Sequence, residues 1–394
     1  VFNYNLFIDG VFYKDSFDFY SNWRFLTEVG KNFISGPIVP LIFVKLSFEN
    51  LTILFILFSF LISSSVYIWS KIICTYFTNK RVQTFLILII LLNPYNFYFV
   101  LKPGSEIPFQ LFYAIFNLCF LSMIFHFNQY INKKSKNLLI FKFYFYSTLI
   151  TVFFLLLTRP TALMVVCSLF LLTTYILITK FNGINHIKNE LFIVNSILLT
   201  FIIYFSFLYY EYASLGLKWL EGNPEALIQF SNQVNPATYF GISETNIKFN
   251  LRNFPFLLKQ IFYFLWKISN WILGISGIRD SFSLINNETA YSEMRISQVI
   301  LRVSYGLFIY LPILLANIFI SFYTLIYKFF KVDKLKFNSP FNLISLISIS
   351  IILPNIIFYS NERYIFMIFP SLLISFVYTI NRNLAFKKSS KRIY

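Results

Sequence analysis

A succession of long apolar runs limits what this 394-residue chain can fold into. About nine runs of roughly twenty residues follow one another, each long enough for a helix that crosses a bilayer. Membrane strands would need alternating segments of about ten residues instead. The pattern predicts an all-α polytopic membrane protein with nine to ten transmembrane helices. The predicted spans are residues 49–70, 82–100, 106–126, 139–157, 160–179, 191–209, 303–328, 340–359 and 364–380.

The composition agrees with this fold class. Hydrophobic residues make up 57% of the chain and charged residues only 12%, whereas about a quarter of a soluble protein is charged. Because no internal repeat or low-complexity linker divides the sequence, we predict a single membrane domain over residues 1–394. Residues 37–47 are apolar but too short to cross, and they predict a half-helix that leans into the bundle.

Charge asymmetry predicts the orientation. If the nine spans alternate, one side collects most of the lysines and arginines between spans, and only Glu190 and Asp333 of the sixteen acidic residues share that side. The positive-inside rule makes the basic side cytoplasmic. We therefore expect the net charge of +17 to serve topology and contact with anionic membrane lipids. A nucleic-acid partner is not expected, because the basic residues are scattered over short loops.

Two external segments are long enough to shape a site. Residues 1–48 form the first external loop, and residues 210–302 form one long external connection. The second half of that connection, around residues 254–276, is long enough to span. Because Lys259 and Lys267 interrupt it and Trp266 and Trp271 suit an interface, we favour an interfacial helix over a tenth crossing.

Charged residues gather on the predicted outer face. Asp15 and Asp18 are three residues apart in the first loop, so they share a face if the loop is helical there. Three very short turns between spans carry the other groups, where desolvation favours a partner or a ligand. These are Lys102 and Glu106 in LKPGSEIP, Arg159 in LLTRPTAL, and Glu362 and Arg363 in SNERYIF.

Four predicted helix starts would point their positive dipole ends to this face. They are Ser35-Gly36-Pro37, Ser105-Glu106, Thr158-Arg159-Pro160 and Asn361. With Lys102, Arg159 and Arg363 they predict an anion site at the membrane surface. Simpler roles stay open for each residue. Arg159 and Lys102 can contact headgroups, Glu362 and Arg363 can pair, Glu106 can cap its helix, and the aspartates can be ordinary loop acids.

Four sequence stretches resemble one family. In chain order they are DSFDFYSNWRFLTEVG followed by GPIVPLIF, LLNPYNFYFVLKPGSEIPFQLF, LLTRPTALM and NERYIFMIFPSLL. In this order they are similar to motifs of the GT-C glycosyltransferases. The resemblance is to the bacterial relatives of protein O-mannosyltransferase and the lipid A aminoarabinose transferase. It implies a GT-C-type helical bundle in the bacterial plasma membrane, with its active site facing the periplasm or the outside.

The resemblance also implies chemistry. Such enzymes take a sugar from a polyprenyl-phosphate donor, and an Asp of the first external loop is the catalytic base. Asp15 matches that position best, and Asp18 is the second choice. Lys102, Arg159 and Arg363 are candidates for binding the donor phosphate, with Glu106, Glu362 and Tyr364 in support. The acceptor is a hydroxyl of a glycolipid, a saccharide or a protein. No cofactor and no metal is expected.

Two other functions compete with this one. An O-antigen-type polymerase also acts on lipid-linked sugars, but it is expected to use basic external loops, whereas fourteen of the sixteen acidic residues fall outside here. A lipid-linked oligosaccharide flippase or other transporter should carry ionisable residues near mid-membrane. The predicted spans are nearly free of charge apart from Lys142, which favours surface chemistry.

Overall fold

The computed structural model describes residues 42–43, 46–47, 50–101, 105–133, 138–178, 188–221, 296–330, 340–357 and 362–390. Within these ranges 94% of the residues are helical and no strand occurs. The helices are α1 (Leu51–Tyr76), α2 (Lys80–Leu91), α3 (Pro94–Leu101), α4 (Glu106–Lys133), α5 (Leu138–Leu156), α6 (Leu163–Ile178), α7 (Lys188–Glu221), α8 (Ile296–Tyr305), α9 (Leu311–Phe330), α10 (Pro340–Ile357) and α11 (Glu362–Ser390).

Five helical segments are long and apolar enough to cross a membrane: Thr52–Tyr76, Glu106–Gln129, Leu138–Leu156, Lys188–Phe207 and Val303–Tyr323. Three apolar helices are shorter, at Leu163–Ile178, Pro340–Ile352 and Ile365–Asn381. Large apolar side chains such as Phe319, Phe308 and Leu139 are about 80% exposed, as expected for surfaces that face lipid. These findings support an all-α membrane protein, whereas the predicted number of nine to ten crossings is not confirmed.

The predicted span 82–100 is wrong as a continuous helix, because α2 ends at Leu91 and α3 begins at Pro94. Proline cannot donate a backbone hydrogen bond, and it disfavours the helical conformation in the residue before it. Side chains replace the lost bonds. The Asn93 Oδ1 accepts from the Tyr95 backbone N–H at 3.1 Å, and the Asn96 Nδ2 donates to the Ile90 and Leu91 carbonyls at 2.7 and 3.2 Å.

A second irregularity lies against this break. Residues Gly306–Tyr310 are π-helical and join α8 to α9. Pro312 follows as the second residue of α9, and the wider turn accommodates a proline that would collide with the carbonyl four residues earlier. The Tyr310 hydroxyl hydrogen-bonds Asn93 Nδ2 at 2.9 Å, and the Tyr305 hydroxyl donates to the Ile89 carbonyl at 3.1 Å. These two hydrogen bonds therefore join the π-helical segment and α8 to the break between α2 and α3.

Neighbouring helices pack as antiparallel hairpins, α4 with α5, α6 with α7, and α10 with α11. Buried hydroxyls and amides link α9, α10 and α11. The Asn317 Nδ2 donates to the Leu372 carbonyl at 2.9 Å, and the Ser345 hydroxyl donates to the Asn317 Oδ1 at 2.7 Å. Helix pairs in hydrocarbon gain no hydrophobic driving force from each other, so such polar contacts and small side chains fix their packing.

Several helices extend beyond the predicted spans. α7 continues to Glu221, so the first twelve residues of the predicted external connection 210–302 are helical, and α8 begins at Ile296 within its end. The predicted interfacial helix at 254–276 lies outside the described residues. Of the predicted half-helix 37–47, residues 42, 43 and 46 are helical. The Phe43 ring packs edge-on against Phe58 at 6.3 Å, and Ser47 is buried.

Asn317→Leu tests whether the polar contacts hold α9 to its neighbours. We expect the free energy of unfolding to fall by about 1 to 2 kcal/mol, because the hydrogen bonds of the Asn317 side chain to the Leu372 carbonyl and to the Ser345 hydroxyl are lost. Unfolding by sodium dodecyl sulfate in mixed micelles measures the change. Phe319→Leu, two residues along and facing outward, is the matched control. An unchanged midpoint for Asn317→Leu would contradict this role.

Candidate functional site

An ion pair is buried at one end of the bundle. The Arg159 Nη1 donates to Glu106 Oε1 at 3.0 Å and to the Met367 Sδ at 3.2 Å. The side chains of Arg159 and Glu106 are only 11% and 9% exposed. We call the end of the bundle where α4 and α11 begin and α5 ends the Arg159 end. Three elements far apart in the sequence therefore meet at one guanidinium.

The turn after α5 positions Arg159. The chain leaves α5 at Leu156 and enters a short 3₁₀ turn at Pro160–Ala162. Pro160 disfavours a helical conformation for Arg159, and the Arg159 backbone N–H still donates to the Leu155 carbonyl at 3.1 Å. The Thr158 hydroxyl donates to the Phe154 carbonyl at 2.7 Å. These bonds satisfy the end of α5 and fix the backbone from which the guanidinium extends.

Glu106 lies in the first turn of α4. A carboxylate there is stabilised by the positive end of the helix dipole as well as by Arg159. The site is also recessed. The Ser65 hydroxyl of α1 lies 3.5 Å from the Gln110 carbonyl of α4. Because Ser65 is fourteen residues into α1 and Gln110 only four residues beyond Glu106, α1 begins about 15 Å above the ion pair along the bundle.

Aromatic side chains form a wall beside the pair. Phe366, which precedes Met367, packs against Phe99 of α3 with ring centroids 4.7 Å apart. Phe99 stacks with Tyr95, and Tyr95 stacks with Tyr310 at 5.2 Å. This row of rings connects the Arg159 end to the break at Asn93 and to the π-helical turn. The position of α3 therefore couples the site to the two irregular segments.

The predicted site residues divide into three groups. Glu106 and Arg159 are in direct contact. Glu362, Arg363 and Tyr364 belong to the first turn of α11, whose Met367 contacts Arg159. Asp15, Asp18 and Lys102 lie outside the described residues. Sequence reasoning missed Met367, and the signal that could have found it is its position four residues after Arg363 in NERYIFM, one helical turn along α11.

The burial of Arg159 argues against a simple role in contacting lipid headgroups. The side chain is too buried to extend to headgroups as an isolated arginine would. Taking two charges out of water is costly, so a buried pair of this kind is weak evidence for stability. An ionisable group inside a membrane domain instead marks a functional site by default.

A second ion pair provides a comparison. Lys142 of α5 and Glu190 of α7 are 2.6 Å apart, with side chains 36% and 21% exposed. They lie at the opposite end of the bundle, where α4 ends and α5 and α7 begin, which we call the basic end.

Within the described ranges no group of three or more His, Cys, Asp or Glu side chains suits a metal ion.

A double-mutant cycle tests the coupling of Glu106 to Arg159. Glu106→Gln and Arg159→Met should each lower the free energy of unfolding by about 3 to 5 kcal/mol, because each leaves an unpaired buried charge. The double variant should lose clearly less than the sum.

The same cycle at Lys142 and Glu190 is the control, since a more exposed pair contributes at most about 1 kcal/mol. Unfolding in mixed micelles is the measurement for all variants. Additive effects at Glu106 and Arg159 would show that the two side chains do not stabilise each other.

Comparison with known proteins adds no relative. No protein-family model, no curated protein and no solved structure matches this chain. The case for a function therefore depends on the geometry of the Arg159 end and on the sequence motifs that lead to it.

Proposed function

We propose that the chain is an inverting membrane glycosyltransferase of the GT-C type. It transfers a sugar from a polyprenyl-phosphate donor to an acceptor hydroxyl on the external face of the membrane. The acceptor is a glycolipid, a saccharide or a protein. The proposed location is a bacterial plasma membrane, with the Arg159 end facing the periplasm or the outside.

The observation that carries this proposal is the contact of Glu106, Arg159 and Met367. Each residue comes from a different stretch that resembles the family: Glu106 from LKPGSEIP, Arg159 from LLTRPTAL and Met367 from NERYIFMIF. These stretches are more than fifty residues apart in sequence, and nothing in their local patterns requires them to meet. Their meeting supports a common role for the three turns.

Arg159 is the central phosphate ligand in this proposal. A guanidinium carries five N–H donors in a rigid fork that matches the geometry of a phosphate. Glu106 holds the fork in one orientation, and the start of α4 adds the positive end of a helix dipole. Lys102 and Arg363 complete the phosphate site, and Glu362 and Tyr364 support them.

The reaction is a single displacement. The acceptor hydroxyl oxygen forms a bond to the anomeric carbon, and its proton passes to the carboxylate of Asp15 or Asp18. The bond from that carbon to the phosphate oxygen breaks, and the lipid phosphate leaves with the bonding electrons. Fixed cations stabilise the charge that develops on the leaving group. Attack from the side opposite the leaving group inverts the anomeric carbon, and no step needs a metal.

A second function has an observation in its favour. The break at Asn93 and Pro94 faces the π-helical turn Gly306–Tyr310, and discontinuous helices of this kind form substrate sites in transporters. A lipid-linked oligosaccharide flippase is therefore the alternative. The buried ion pair lies at the end of the bundle rather than beside the break, which favours the transferase.

The decisive experiment is sugar transfer from radiolabelled polyprenyl-phosphate sugars in membranes that contain the chain or its Asp15→Asn or Asp18→Asn variant. Removing a general base should lower the transfer rate by roughly 100- to 10,000-fold. We expect this loss in one of the two variants, at equal expression. Asp9→Asn, in the same loop, is the matched control and should keep full activity.

Full transfer in both variants would remove the assignment of the base to these residues. Absence of transfer from every donor, together with movement of lipid-linked sugar across proteoliposomes, would instead establish the flippase. Retention of the sugar's anomeric configuration in the product would exclude the single displacement.

A further inference from the structure

An apolar cavity lies between the α4–α5 hairpin and the α6–α7 hairpin. It is lined by apolar side chains and is partly open to the outside of the bundle. Phe120 and Phe127 of α4, Phe145 of α5, Ile176 of α6 and Val194 of α7 are among its lining residues. We call this space the hairpin cavity.

The lining offers no polar surface to an occupant. Its two threonine hydroxyls are hydrogen-bonded within the protein. The Thr148 hydroxyl donates to the Tyr144 carbonyl at 2.7 Å, and the Thr173 hydroxyl lies 2.7 Å from the Asn195 Oδ1 of α7 and 2.9 Å from the Leu169 carbonyl. A sugar, a phosphate or water would find no partner here. Only a hydrocarbon occupant is compatible with these walls.

Contacts at both ends keep α5 and α7 apart by a fixed amount. At the basic end Lys142 and Glu190 join the two helices. Further along, Phe153 packs against Phe201 and Phe205 with ring centroids 5.8 and 6.2 Å apart. Most of the cavity lining on α5 and α7 lies between these two contacts. The two contacts therefore set the separation of the helices on either side of the cavity.

The size and depth of the cavity suit one leaflet of the bilayer. On α4 the lining runs from Phe120 to Phe127, seven residues or about 10 Å along the helix. One leaflet contributes about 15 Å of hydrocarbon. Because α4, α5 and α7 are apolar enough to span the membrane over this region, lipid chains surround the opening of the cavity.

Charge at the nearer end identifies the headgroup. α4 ends at Lys133 and α7 begins at Lys188, whose side chain is exposed. Lys142 and Glu190 offset each other beside the cavity, and the exposed Lys188 adds a positive charge at the same end of the bundle. A lysine at the membrane surface attracts the phosphate of an anionic headgroup.

We propose that the hairpin cavity binds one acyl chain of an anionic phospholipid from the leaflet at the basic end, with its headgroup beside Lys188 and Lys142. The bound lipid fills the space between the two hairpins and connects them. It is a structural lipid, distinct from any sugar donor at the Arg159 end, and the proposal does not depend on the proposed function.

Photo-crosslinking tests this binding. The purified full chain is placed in phosphatidylcholine vesicles that contain a small fraction of phosphatidylglycerol with a diazirine on one acyl chain. After illumination, mass spectrometry maps the labelled peptides. We expect labelling to concentrate on cavity-lining residues of α4, α5, α6 and α7. Val194→Phe, which fills the cavity, should lower this labelling at least fivefold, whereas Ile193→Phe on the exposed side of α7 should leave it within twofold.

The headgroup is tested with the same probe. Excess unlabelled phosphatidylglycerol should displace it more effectively than excess phosphatidylcholine, and Lys188→Gln should abolish this difference. Lys80→Gln, an exposed lysine at the start of α2, is the control. Should Val194→Phe fail to fold, Leu172→Phe with Leu171→Phe as its control makes the same comparison.

Labelling spread evenly over the exposed apolar faces would overturn the proposal, as would equal labelling of the filled and control variants. Equal displacement by both lipids would overturn the anionic headgroup. Absence of cavity labelling in the unmodified chain would also overturn the proposal.

Discussion

Inside hydrocarbon, every backbone polar group must find its partner within the protein, and the two irregular segments of this bundle show how that is achieved. At Asn93 and Pro94 the helical bonds end, and the side chains of Asn93 and Asn96 replace them. Before Pro312 the helix widens to a π-helix instead, and the Tyr310 hydroxyl accepts a hydrogen bond from the Asn93 Nδ2. The contact between Tyr310 and Asn93 links the two positions. The aromatic row from Tyr310 through Tyr95 and Phe99 carries that constraint to the Arg159 end.

The helices were predictable because length and hydropathy are local properties. Within the described residues every predicted span is mostly helical, the continuity of 82–100 is wrong, and the number of crossings is not confirmed. Averaged over 82–100 the hydropathy stays high, so it gives no information about the missing hydrogen bonds, whereas the Asn93-Pro94 pair does. The length of α7 was not predictable from the run of apolar residues either. A helix need not end where it leaves the membrane, and polar residues from Glu211 to Glu221 continue it.

The candidate site was predictable only in part. The short turns that carry Glu106 and Arg159 predicted that both lie at the outer face of the membrane. Charges in a short turn between two spans cannot move far from that face. That Arg159 contacts Glu106 and Met367 rather than solvent depends on how α4, α5 and α11 pack. A methionine in an apolar run gives no local sign that its sulfur will accept a hydrogen bond. The roles of Asp15, Asp18 and Lys102, which lie outside the described residues, stay predictions.

The two described ion pairs use the same chemistry with different consequences. Lys142 and Glu190 are partly exposed, so water screens them and their attraction contributes little to stability. Arg159 and Glu106 are nearly enclosed, and two apolar side chains of similar size would serve stability as well or better. Apolar side chains cannot provide an oriented cation. Arg159 provides one about 15 Å below the first residue of α1, beside the start of α4 and the start of α11. A recessed, pre-oriented guanidinium is suited to recognise an anionic group, and this is the physical reason for the proposal that the chemistry takes place there.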